Sequence, residues 1–122
     1  MINEKLLRNK THQDYTTDGS AVKCGYKIDN KDVYVKRINF GKLPNATSKS
    51  VASGINFDNH TLIKIEGIAK YQNNSIAFGL PLAHPTVLAN SIMVNIDASN
   101  NLVITTGRDR TDYLGYLDIY YI

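Results

Sequence analysis

The chain is poor in residues that tie a small protein together covalently or through metal. Its single cysteine, Cys24, cannot close an internal disulfide. The fold must therefore rest on its core and on contacts between chains, and a reducing place of synthesis fits. The three histidines, His12, His60 and His84, lie far apart, without a companion cysteine and without HExxH spacing. No metal site is expected from them, and each reads as a loop or edge residue. There is no Gly-x-Ser-x-Gly elbow, no phosphate loop and no dinucleotide fingerprint, so no cofactor and no catalytic apparatus is expected. Cys24, between Lys23 and Gly25, reads as a small buried or edge thiol rather than a nucleophile.

Apolar runs are short. Nowhere does one approach the roughly 20 residues of a membrane span, and Met1 to Leu7 has no apolar segment of signal-peptide length. The expectation is a soluble chain with no membrane insertion and no signal peptide. Charge is also modest: 14 Lys and Arg against 11 Asp and Glu give a formal +3. That is too small and too scattered to mark a nucleic-acid surface.

What is present leans to strands and turns. The 122 residues suit one domain, and 13 Asn, 8 Tyr and 8 Gly accompany many Val, Ile and Thr. Residues 1–19 are polar and read as a linker or stalk remnant, whereas residues 20–122 carry short β-type runs separated by Asn, Asp, Gly and Pro. The expected fold is all-β, an antiparallel β-sandwich of about seven or eight strands.

Ile92, Val94 and Ile96 alternate strictly, the turn Ala98 to Asn101 follows, and Leu102 to Thr106 returns, which predicts a hairpin with one face in the core. A second hairpin is predicted from Val22 to Ile28 and Asp32 to Phe40, around Asp29-Asn30-Lys31. Thr61 to Tyr71 sets Ile63 and Ile65 against Lys64 and Glu66, with Gly67 read as a bulge. Lys49 to Ser53 and Ser75 to Leu80 complete the middle. Pro81 and Pro85 make the segment between them an irregular crossover. In the closing strand Leu117, Ile119 and Tyr121 face one way, and Tyr116, Asp118 and Tyr120 the other.

The densest charge lies in the loop Gly107 to Tyr113. Arg108, Asp109, Arg110 and Tyr113 are the candidate ligand contacts, because guanidinium, carboxylate and phenol groups hydrogen-bond and stack on a sugar or phosphate. The opposing reading is an internal Arg–Asp network that orders the loop. Tyr71, Tyr113, Tyr116 and Tyr120 are rings of the kind found in sugar sites and subunit interfaces, with core or subunit contact expected for Tyr116 and Tyr120. Asp97, Asp109, Asp112 and Asp118 could supply the paired carboxylates of a small glycan hydrolase, but their spacing does not mark one.

Six ordered stretches carry a resemblance: Gly25 to Lys31 with Tyr34, Lys36 and Asn39 to Asn45; Lys49 to Ile55; Ile65 to Ala69; Leu80 to Leu82; Thr106 to Arg110; and Tyr116 to Tyr121. Across residues 25 to 121 the chain resembles the C-terminal domain of tail-fibre and baseplate proteins of phages of Gram-positive bacteria. The resemblance implies a β-sandwich, often a homotrimer, at the end of a fibre. Such a virion component would be made in the bacterial host cytoplasm and carried beside other tail-fibre or baseplate proteins. It also implies host attachment through a surface polysaccharide or teichoic acid, with weak carbohydrate contacts multiplied by avidity. A structural trimerisation or capping module is the alternative implied by the same resemblance.

Overall fold

The computed structural model describes residues 20–73 and 75–122. The linker expected over residues 1–19 lies outside the described residues. Among the described residues eight strands form two antiparallel sheets: β1 (Val22–Ile28), β2 (Lys31–Lys42), β3 (Ser48–Ala52), β4 (Leu62–Tyr71), β5 (Ala77–Leu80), β6 (Ile92–Ile96), β7 (Asn101–Thr106) and β8 (Tyr113–Tyr121). One sheet has five strands in the order β1-β2-β8-β4-β5, and the other has three in the order β3-β7-β6. A single 3₁₀ turn, Leu88–Asn90, is the one helical element among the described residues. The all-β sandwich expected from the sequence is the observed architecture.

Alternation decides which side chains enter the core. Leu117, Ile119 and Tyr121 from β8 meet Leu102 and Ile104 from β7 and Ile92 from β6 in one cluster with Ile38, Phe40, Leu43, Ile55, Ala69 and Leu80. Ile92, Leu102, Ile104, Leu117 and Ile119 are essentially inaccessible to solvent. Each such aliphatic side chain contributes roughly 1.5–3 kcal/mol relative to exposure, so the two hairpin faces and β8 supply the main drive for sheet-on-sheet packing. Val33 and Val35 are buried too, although the register sets Val35 beside Tyr120 on the side turned away from the second sheet.

Both expected hairpins form. Asp29 and Asn30 sit at φ 51° and 62° between the paired Ile28 and Lys31, the left-handed geometry that a two-residue turn of this type demands. In the β6–β7 turn the Asp97 carboxylate accepts from the N–H groups of Ser99 and Asn101, and Asn100 takes φ 64°. The segment between Pro81 and Pro85 is irregular, as expected; it touches the small sheet where Leu82 exchanges backbone hydrogen bonds with Ile92.

Two features differ from the sequence-based expectation. Gly67 is not a bulge: β4 pairs with β8 continuously from Lys64 to Tyr71, and the irregularity falls between Leu62 and Lys64. Gly67 is required by close approach instead, since a Cβ there would strike the Tyr116 carbonyl oxygen and lie 2.9 Å from Leu117 Cα. The strong irregularities lie elsewhere, in β1 between Lys23 and Lys27 and in β2 between Asn39 and Gly41. The second one adds Phe40 to the core, and Gly41, at φ 69°, donates to the Asn39 side chain.

Substituting Gly67→Ala should therefore cost about 2 kcal/mol or more, because backbone rather than a flexible side chain must give way. Urea unfolding checks it. The hairpin turn makes a separate prediction about acid. Its backbone N–H groups, that of Asn101 first, hold Asp97 below the usual carboxylate range. A carboxylate depressed in the folded state adds stability that is full above its unfolded value near pH 4 and is lost as pH falls through the folded one. Melting scans should show Asp97→Asn less stable than the wild type at neutral pH, with the gap narrowing below about pH 4.

Candidate functional site

The loop joining β7 to β8 is ordered mainly by contacts to the 3₁₀ turn and to strands β4 and β5. Arg110 is buried and its Nη2 donates to the Asn90 carbonyl at 2.8 Å. Its guanidinium carbon lies 5.4 Å from the ring centroids of both Phe78 and Tyr113, and its buried Nε makes no hydrogen bond. Tyr113 completes this knot, packing edge-on to Tyr71 at 5.4 Å and tilted against Phe78 at 5.2 Å. Two of the four candidate contacts thus join β4, β5, β8 and the 3₁₀ turn at one end of the sandwich.

The other two stand at the surface. Arg108 Nη1 donates to the Asn90 side-chain oxygen at 3.0 Å, so both arginines grip the same residue. The Asp109 carboxylate accepts from the backbone N–H and the hydroxyl of Thr111, which hold it below the usual carboxylate range, the backbone bond first. Among the described residues no ion pair joins an arginine to an aspartate in this loop. The ordering network runs instead from arginine to Asn90 and from aspartate to Thr111.

A different constellation occupies the outer face of the five-stranded sheet. Alternation along β8 turns Tyr116, Asp118 and Tyr120 away from the core, and the register places Asn39, Arg37 and Val35 beside them on β2 and Ile68, Glu66 and Lys64 on β4. Arg37 holds Asp118 through two bonds, Nε to Oδ1 at 2.8 Å and Nη2 to Oδ2 at 3.0 Å. That carboxylate also favours the charged guanidinium, raising the Arg37 pKa. The same guanidinium lies 4.1 Å over the ring of Tyr116, and the Lys64 ammonium 4.4 Å over the ring of Tyr120. Each ring is thereby pinned by a cation, and Arg37 by a fork of charge-assisted bonds.

Next to Tyr116 lies an open hollow of about 300 Å³, lined by Arg37, Asn39, Lys70, Leu114, Gly115 and Tyr116. Its contents are one aromatic ring, one aliphatic side chain, an amide and two cations, a set able to stack on a sugar ring and hydrogen-bond its hydroxyls. Of the two fates expected for Tyr116 and Tyr120, core or subunit contact, the structure excludes the core of its own chain: both are half-buried on the outward face. The alternation read from the sequence already put them opposite Leu117, but their neighbours on β2 and β4 come from distant parts of the chain.

The remaining chemistry is local. His84 Nδ1 accepts from the N–H of Val87, and the His60 ring lies edge-on to Tyr121 at 5.1 Å. Among the described residues no group of three or more His, Cys, Asp or Glu side chains could hold a metal ion, and no helix is long and apolar enough to cross a membrane. Burial pushes the Cys24 thiol up, the nearby Lys64 opposing and Asp118 adding. Comparison with family models, with curated proteins and with solved structures gave no match.

The two arginines should separate in a stability assay. Arg110→Ala leaves the Asn90 carbonyl without its donor and opens a gap against two rings, so it should cost about 2–3 kcal/mol. Arg108→Ala should stay within about 0.5 kcal/mol of wild type. Equal effects in urea unfolding would rule out this division of the loop.

Proposed function

We propose that the chain is a non-enzymatic recognition domain, the tip of a phage-type tail fibre, which binds host-surface carbohydrate on the outer face of its five-stranded sheet. The observation that carries the reading is the Tyr116–Arg37–Asp118 stack beside the open hollow. A ring held in one orientation, flanked by a bidentate charge pair and by the amide of Asn39, presents an amphipathic platform at little entropic cost on binding. The hollow is shallow and at the small end of ligand sites, which run from roughly 300 to 1,000 Å³. Weak single contacts multiplied over several chains suit such a surface.

The tail-fibre setting rests on the resemblance of residues 25 to 121 and on the match of its implied sandwich to the observed fold. Arg108 and Asp109, at the surface near one end of the same sheet, are a secondary contact in this proposal. Arg110 and Tyr113 serve by shaping that end. A non-enzymatic role is supported by the uses already found for three of the four candidate carboxylates: Asp97 and Asp109 bind backbone N–H groups, and Asp118 is committed to Arg37.

Calorimetric titration of the full chain against purified wall polysaccharides from a panel of Gram-positive bacteria tests the proposal. Strain-selective binding is expected, with Tyr116→Ala weakening it tenfold or more, about 1.4 kcal/mol, while the melting curve stays cooperative. No binding to any polysaccharide, or unchanged affinity in the variant, would reject the face. Release of new reducing ends would reject the non-enzymatic role.

A further inference from the structure

We propose that the hollow beside Tyr116 takes a sugar whose ring carries a carboxylate, a uronic-acid unit, in preference to a neutral sugar; the inference rests on the saccharide reading and names the class of sugar that the site selects.

The hydrogen-bonding groups around the hollow are unevenly divided between donors and acceptors. Arg37 uses Nε and Nη2 to hold Asp118. The Asn39 side-chain oxygen accepts from the Gly41 N–H at 3.1 Å, inside the irregularity of β2 that shapes this corner. What these two side chains still offer is Arg37 Nη1 and the Asn39 amide nitrogen, and both donate only. Lys70, also in the lining, adds an ammonium group with three more donors. Apart from the Tyr116 hydroxyl, the side chains of the lining therefore present donors alone. A neutral hydroxyl meets such a set with its lone pairs and must leave its own proton to water. A carboxylate is an acceptor only, and it meets the set with both oxygens in charge-assisted bonds.

The distribution of charge points the same way. The register sets Leu114 between Lys42 on β2 and Lys70 on β4, all three on the outward face. Both lysines are exposed, and among the described residues neither forms an ion pair with a carboxylate. Elsewhere on this face the cations are matched, Arg37 by Asp118 and Lys64 by Glu66. Asp118, the next acid along β8, does not line the hollow. The corner around Leu114 thus holds two lysine charges with no anion of their own, beside the tyrosine ring and the aliphatic side chain against which a sugar stacks.

The size of the hollow separates a ring-borne carboxylate from a phosphodiester. At about 300 Å³ it lies at the small end of ligand sites and suits one sugar ring with its substituents. A uronate carries its carboxylate at the edge of that ring, within the unit that stacks. A phosphodiester lies between two units, so a unit seated in the hollow would hold the phosphate at the rim, away from Arg37 and Asn39.

Calorimetric titration of the full chain is the test, with hexuronate oligomers of several stereochemical series, the same oligomers after reduction of their carboxyl groups to alcohols, and glycerol phosphate oligomers. At least one hexuronate series is expected to bind, and its reduced counterpart about tenfold more weakly. Lys70→Glu, at an exposed position, should weaken hexuronate binding about tenfold, leave the reduced oligomers unaffected and keep the wild-type melting curve. Lys31→Glu, equally exposed but at the far end of β2, should change neither affinity, because the contact is local rather than a bulk attraction. Reduced oligomers that bind as tightly as the hexuronates, with binding lost in Tyr116→Ala, would overturn the carboxylate assignment and leave the saccharide reading standing. Tighter binding of glycerol phosphate oligomers than of any hexuronate would overturn the assignment too. A cooperatively melting chain that binds none of these oligomers would reject both.

Discussion

Strand β8 is bonded along both edges, to β2 and to β4, and its two-residue period divides the chemistry of the molecule. Leu117, Ile119 and Tyr121 fall on the side that meets the small sheet, and Tyr116, Asp118 and Tyr120 on the outward side, where the two rings are half-buried and Asp118 is buried beside Arg37. A shift of one residue in either pairing would exchange these sets, burying Asp118 in the core and exposing Leu117 and Ile119. The register is therefore enforced from both faces. Burial of aliphatic groups favours it on one side, and on the other the Arg37–Asp118 fork forms only when these two residues stand directly across from each other. The outward face of β8 inherits its rigidity from the core behind it.

The same dependence explains the division within the β7–β8 loop. Arg110 lies near the start of β8, close to where the core ends, and its guanidinium fills the space between Phe78, Tyr113 and the Asn90 carbonyl. A charged group in that position costs desolvation, offset by the carbonyl bond and by two aromatic faces. Asn90 is held in turn by Arg108. The loop, the 3₁₀ turn and β5 are thus one ordered unit, and Gly107 permits it, since a Cβ there would lie 2.5 Å from the Ala89 carbonyl oxygen.

Local chemistry made much of the fold readable in the sequence. The alternation of Ile92, Val94 and Ile96, the left-handed pair Asp29-Asn30 and the two-faced β8 all depend on neighbours within a few residues, and the structure bears each out. What could not be read depends on residues brought together over long separations. Arg37 and Asp118 are 81 residues apart, and Arg110 and Asn90 are 20 apart. Gly67 read as a bulge because its neighbours on β8, whose approach demands glycine, lie about 50 positions along the chain. Tyr116 and Tyr120 were placed on the correct side of their strand, but a tyrosine's own sequence context does not show that a cation from a distant strand will lie over its ring.

The distribution of charge gives the molecule its remaining asymmetry. On the outer face of the five-stranded sheet, cations and carboxylates neutralise one another in close pairs, Arg37 with Asp118 and Lys64 with Glu66, so polar groups are held in place without a large net field. Such a face can meet a hydroxyl-rich polymer by stacking and directed hydrogen bonds rather than by bulk attraction, which salt would screen. The flank of residues 71–96 has no charge to neutralise and carries the exposed Leu88 and Met93 instead.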